Sequence, residues 1–160
     1  MLNSIDNIIR SSKENSTYEG IVDFSFETEL LLCEVMNVER SWLKANPNYI
    51  LSDEQEIKFS KLKLRREKGE PIAYIIGNRG FWTLDLKVNE SVLIPRPESE
   101  LIIELSLYLP LTNKADVLDL GTGSGALALA LASERKGWSI TGTDVSIDAL
   151  KVAEFNKEYH

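Results

Sequence analysis

The sequence predicts an α/β protein: a small amino-terminal helical bundle, a linking β-hairpin, and the first half of a Rossmann-like domain. Three observations predict it. Apolar residues recur at helical spacing through the first 77 positions, residues 81–88 alternate as a half-buried strand does, and from Val117 a strand, a glycine loop, a helix and a second strand follow in turn. The expected organisation is a helical domain over 1–77, a hairpin linker over 78–97 and a partial Rossmann-like domain over 98–160.

Leu2 to Arg10 opens the bundle, with Ile5, Ile8 and Ile9 at helical spacing. Phe24 to Met36 is the second expected helix, with Leu30, Leu31 and Val35 on its apolar face. Ser41 to Ala45 reads as a short helical turn ended by Asn46-Pro47, because a residue before proline is pushed out of the helical region. Ser52-Asp53-Glu54-Gln55 matches a capping box, and the helix it opens runs to Lys68. Gly69 supplies the stop. Pro71 and Gly77 then bracket one more short helix.

Phe81 to Val88 is aromatic-rich and alternating, so a strand is expected there, with Asn89-Glu90 as the turn into a partner strand over Ser91 to Ile94. Pro95-Arg96-Pro97 ends that pairing, since neither proline can donate to a ladder. A helix from about Glu98 to Leu109 would carry Leu101, Ile102, Leu105 and Leu109 on one side. Val117 to Leu120 is expected as a buried strand, Ala126 to Glu134 as a helix, Ser139 to Thr143 as a second strand, and Ser146 as the cap of a last helix. Two strands cannot form a parallel sheet covered on both faces, and the open edge invites association. The chain therefore reads as the amino-terminal portion of a longer protein.

A net charge of −7 disfavours non-specific binding of nucleic acid. The basic run from Lys58 to Lys68 reads as a solvated helix face. The start of the chain lacks a basic segment followed by an apolar one, and no apolar stretch reaches the roughly 18 residues a membrane span needs. A soluble, cytoplasmic protein without membrane contact is expected. Cys33 is the only cysteine, so no intrachain disulfide forms; it reads as a small buried hydrophobe. His160 is the only histidine. These counts exclude Cys/His zinc sites, Ser-His-Asp triads and Cys-His dyads. Chemistry must come from a cofactor, backbone groups or carboxylates.

The candidate site is the loop Gly121-Thr122-Gly123-Ser124-Gly125 with Asp119 before it and Asp144 at the end of the next apolar run. Glycines at alternate positions let the backbone turn sharply and approach a ligand, and the following helix aims its free N–H groups at the same place. Asp144 falls where a second strand would deliver a carboxylate to a ribose hydroxyl pair. Gly121-x-Gly123-x-x-Ala126 also satisfies a dinucleotide pattern, so a nicotinamide or flavin enzyme stays open. Two details favour S-adenosylmethionine: the acid Asp119 inside the first strand, which suits a cationic ligand and repels a phosphate, and the tight glycine spacing, which suits an amino-acid moiety.

Three blocks make the chain resemble the release-factor glutamine methyltransferases: Gly69-Glu70-Pro71-Ile72-Ala73-Tyr74-Ile75-Ile76-Gly77, Leu93-Ile94-Pro95-Arg96-Pro97-Glu98-Ser99-Glu100, and Val117 to Gly125. The resemblance implies S-adenosylmethionine-dependent methylation of the glutamine side-chain amide in the Gly-Gly-Gln motif of peptide chain release factors, the protein partners. It implies that Gly121, Thr122, Gly123, Ser124 and Gly125 line the cofactor pocket and that Asp144 binds the ribose. It places Pro95-Arg96-Pro97-Glu98 over the cofactor and substrate cleft, where a rigid linker starting a helix is the other reading, and makes the helical domain the recogniser of the release factor. Gly80 stands where the family usually has glutamate, and Ser99 where threonine is usual. The family's catalytic Asn-Pro-Pro-Tyr motif is absent, so no residue here is assigned as catalytic and the 160 residues are expected to have little activity. Asn46-Pro47-Asn48-Tyr49 resembles the motif superficially and reads as a turn. A non-catalytic partner-binding module and a nucleotide-dependent oxidoreductase are the alternatives.

Overall fold

A computed structural model describes residues 4–14, 24–111 and 113–160. The chain divides into two compact units, Met1–Ile76 and Gly77–His160.

The first unit contains helices α1 (Ile5–Glu14), α2 (Phe24–Met36), α3 (Arg40–Ala45), α4 (Asp53–Glu67) and α5 (Ile72–Ile76). Leu2, expected in the first helix, lies outside the described residues. Ile5, Leu31, Leu32, Leu43, Leu51, Phe59 and Ile75 form the core, with α2 supplying two of its leucines. Asn46-Pro47-Asn48-Tyr49 is a turn whose carbonyls take the orphan amides of α1: Ile5 N–H donates to Tyr49 O (3.1 Å) and Asp6 N–H to Pro47 O (3.0 Å). The capping box forms, with Gln55 N–H donating to Ser52 Oγ (3.3 Å) and Ser52 N–H to Gln55 Oε1 (2.9 Å). Lys58 and Lys63 pair with Glu54 and Glu67 along exposed α4. Arg66 departs from the solvated-face expectation. Its guanidinium grips both carboxylate oxygens of Glu27, tying α4 to α2, and both side chains are largely buried. Cys33 is half-buried instead of fully enclosed; burial is the main cause that pushes its thiol pKa up.

The second unit contains an antiparallel hairpin of β1 (Asn78–Phe81) and β2 (Leu84–Lys87), a 3-10 turn (Pro97–Ser99), α6 (Glu100–Tyr108), β3 (Asp116–Leu120), α7 (Ala126–Glu134), β4 (Ser139–Thr143) and α8 (Ile147–Tyr159). Strands β3 and β4 pair in parallel, with α7 as the crossover between them. Phe81, Leu86, Ile103, Ala126, Ala130 and Leu131 form one core. The hairpin therefore lies inside this unit and shares its core.

Three expectations need correction here. The strand expected over Phe81 to Val88 folds back on itself at Trp82-Thr83, pairing Phe81 with Leu84. Trp82 adopts φ +55°, uncommon for an aromatic residue. Carboxylates hold it there: Trp82 N–H donates to Glu100 Oε1 (2.8 Å) and its indole N–H to Glu134 Oε1 (2.7 Å). Asn89 does make a turn, accepting Ser91 N–H at Oδ1 (2.9 Å), but Ser91 to Ile94 form no strand. On α6 the inward side is Ile103, fully buried, with Leu107; Leu101, Ile102 and Leu105 are exposed, as is Leu109 just past the helix end. A helix apolar nearly all round gives periodicity no handle on which side turns inward. Finally, β3 is covered on one face only. Val117 packs into the core, whereas Leu118 and Leu120 are 59% and 76% exposed. No helix among the described residues is long and apolar enough to cross a membrane.

Candidate functional site

Strands β3 and β4 end side by side, and the loop leaving β3 is stitched to the end of β4. Gly121 N–H and Thr122 N–H both donate to Thr143 O (2.8 Å each). Gly125 N–H donates to Thr122 O (2.8 Å), closing the turn from which α7 starts. Gly121, Gly123 and Gly125 all have positive φ, which explains why glycine alternates through the loop. A Cβ at Gly121 or Gly123 would meet no heavy atom within 4 Å, so the loop is open there. At Gly125 a Cβ would lie 3.2 Å from Leu129 Cδ1 and 3.4 Å from Ala153 Cβ, a tight fit, and it is the positive φ that favours glycine there.

Asp144 and the loop meet directly. Gly123 N–H donates to Asp144 Oδ2 and Ser146 N–H to Oδ1, each at 2.9 Å. These bonds, Ser146 first and Gly123 second, hold the carboxyl below its ordinary pKa. Asp119 stands at the root of the loop and accepts Thr122 Oγ1–H at Oδ2 (2.8 Å). Thr122 and Ser124 are both buried, and the Thr122 hydroxyl is engaged with Asp119 inside the loop's own frame. The structure thus brings Asp119, Gly121, Gly123 and Asp144 to the carboxyl ends of two parallel strands, where α/β sheets bind ligands. A cleft of about 480 Å³ between α7, β4 and α8 lies behind the loop; Leu129, Ile140 and Ala153 are in its wall, and neither Asp144 nor Gly123 is. No cluster of three or more His, Cys, Asp or Glu fit to hold a metal occurs among the described residues.

Two residues of this region escaped the sequence reading. Gly142 on β4 lies so close to Thr122 that a Cβ would sit 2.8 Å from its Oγ1. Asn156 on α8 is 1% exposed and hydrogen-bonds to the backbone of both the loop and β2. Its signal is a polar residue on the stripe of Ala149 and Val152, the buried side of α8.

Comparisons with known proteins bear on the family. Residues 19–77 match the family described as PrmC N-terminal domain, and residues 99–160 the family described as Methyltransferase small domain. A release factor glutamine methyltransferase of Shewanella oneidensis is 47% identical over 131 residues, 82% of this chain and 46% of the relative. Proteins of the same name from Aliivibrio fischeri and Coxiella burnetii are 43% and 50% identical, over 96% and 84% of this chain and 54% and 49% of their own lengths. The chain spans about half the length of the curated relatives it matches. With these matches over both units, the chain belongs to the release factor glutamine methyltransferase family.

Proposed function

We propose that the second unit binds S-adenosylmethionine and that the chain serves methylation of the glutamine amide in the Gly-Gly-Gln motif of release factors, with the helical unit contributing to recognition of that protein. The observation that carries the reading is the 2.9 Å bond from Gly123 N–H to Asp144 Oδ2, which joins glycine loop and candidate ribose acid in one place. The residues fit the group. Gly121 and Gly123 leave room for close approach. The carboxylates of Asp119 and Asp144 supply acceptors for ammonium and hydroxyl donors and no cation for a phosphate. When bound, S-adenosylmethionine supplies a methyl group on a sulfonium. The chain's part is to hold and orient: Asp144 would accept from the ribose hydroxyls, and the backbone of Gly121 to Gly125 would line the adjoining moiety. The Gly121-x-Gly123-x-x-Ala126 spacing supports a dinucleotide as the second reading, and Asp119 beside the loop weighs against its pyrophosphate.

A glutamine amide nitrogen is a weak nucleophile because its lone pair is delocalised, so the reaction depends on positioning at the acceptor. The 160 residues contain no Asn-Pro-Pro-Tyr, and by themselves are expected to retain cofactor and transfer little methyl. Incubating the chain with methyl-labelled S-adenosylmethionine and a release factor tests both statements. Label retained by the chain and lost in Asp144→Ala is the expected result. No retention overturns the cofactor reading, and substantial label on the release-factor glutamine overturns the expected lack of transfer.

A further inference from the structure

We propose that Asn156 is a positioning residue that locks the glycine loop to hairpin strand β2 and so sets the shape in which the loop meets its ligand. Its amide makes three hydrogen bonds, all to backbone. Nδ2 donates to Ser124 O (2.8 Å) and Lys87 O (3.0 Å), and Oδ1 accepts Lys87 N–H (2.8 Å). Toward Lys87 the side chain therefore acts as the peptide of a neighbouring strand would, giving and taking one bond at the same residue. Toward Ser124 it satisfies a buried carbonyl that lies before the α7 ladder, whose first acceptor here is Gly125 O, bonded to Leu129 N–H. Asparagine alone among side chains of this size offers two donors and an acceptor. Aspartate would set lone pairs against both carbonyls, and leucine would leave all three groups unpaired in the interior.

The loop's remaining ties run to the other side. Gly121 and Thr122 bond to Thr143, and Gly123 bonds to Asp144. Asn156 completes the frame from the hairpin. Its removal need not unseat α8, which is also held along β2 by Lys87 Nζ over the Phe155 ring (4.2 Å) and by His160 Nε2 against Asp85 O (3.0 Å). The hairpin and the loop, far apart in sequence, become one mechanical piece.

The clamp itself is independent of what the loop binds; its effect on affinity rests on the cofactor reading above. Backbone hydrogen exchange on the whole chain without ligand tests the clamp, comparing Asn156→Ala with Val152→Ala, a buried apolar truncation one turn away on α8. In Asn156→Ala the amides of Gly123 and Gly125 are expected to exchange about tenfold faster relative to the β3–β4 ladder. In Val152→Ala loop and ladder should shift together. Asn156→Asp, which keeps volume and acceptor but loses both donors, gives the same readout if the alanine variant does not fold. Unchanged loop protection, or equal loss in loop and ladder for the Asn156 variants, overturns the proposal. Titration with S-adenosylhomocysteine then separates the two claims: weaker binding in Asn156→Ala than in Val152→Ala supports the effect on affinity, and equal binding overturns it. A parent chain that binds none overturns the cofactor reading, while exchange alone judges the clamp.

Discussion

Replacing Gly142 with alanine should loosen the root of the glycine loop. A Cβ at Gly142 would lie 2.8 Å from Thr122 Oγ1, 3.1 Å from its Cβ and 3.2 Å from its Cγ2. Thr122 must move, and in moving it gives up the 2.8 Å bond from its hydroxyl to Asp119 Oδ2. Overpacking of one methyl costs about 1–3 kcal/mol, and the lost hydrogen bond adds about 1 kcal/mol. For a unit the size of Gly77–His160 each kcal/mol lowers Tm by about 4–8 °C, so a fall of about 10–30 °C is expected. Thermal unfolding followed by circular dichroism reads it. Gly80→Ala is the control, because a Cβ there meets nothing within 4 Å; it should cost no stability, and the stiffer unfolded chain should add about 0.4–1 kcal/mol. Thr122→Ala should relieve most of the clash, so the double variant should be more stable than the sum of the two single losses. A Gly142→Ala protein melting with the parent, or strict additivity in the double variant, would refute the reasoning.

Three further outcomes follow from the same geometry. Ile103→Ala, at a fully buried core position of the second unit, should cost about 2–5 kcal/mol by equilibrium denaturation, whereas Leu105→Ala on the exposed side of α6 should cost far less. Ser52→Ala removes the acceptor of Gln55 N–H and should lower the stability of the helical unit by about 1 kcal/mol. Asp144 has a depressed pKa in the folded state, so its contribution is complete above the ordinary carboxylate value and fades as pH falls through the depressed one. Asp144→Asn should therefore flatten the acid limb of a stability-against-pH curve and leave its slope above pH ~5 unchanged.

What could be read from the sequence was local. Ser52 and Gln55 stand three residues apart and cap one another, so the box needs no tertiary knowledge. Strand β4 and helix α7 keep their expected limits because glycines and polar residues punctuate them. The hairpin's true turn is not legible locally because it depends on Glu100 and Glu134, carboxylates 18 and 52 positions from Trp82. Trp-Thr carries none of the usual tight-turn chemistry. On α6 the apolar side of Leu101, Ile102 and Leu105 faces outward and Ile103 inward, which periodicity does not reveal because apolar residues occupy so much of that helix. Within the candidate site, the glycines and Asp144 announce themselves by spacing. Gly142 and Asn156 do not, since one acts through a close approach to Thr122 and the other across 32 and 69 residues of chain.

The central claim is that loop Gly121 to Gly125 and Asp144 form an S-adenosylmethionine site. Calorimetric titration of the chain with S-adenosylhomocysteine and with NAD, repeated on Asp144→Ala, tests it most directly. The account predicts binding of S-adenosylhomocysteine at least about a hundredfold tighter than NAD, lost in the variant. Equal or tighter binding of NAD, or an Asp144→Ala chain that binds S-adenosylhomocysteine as the parent does, would contradict it.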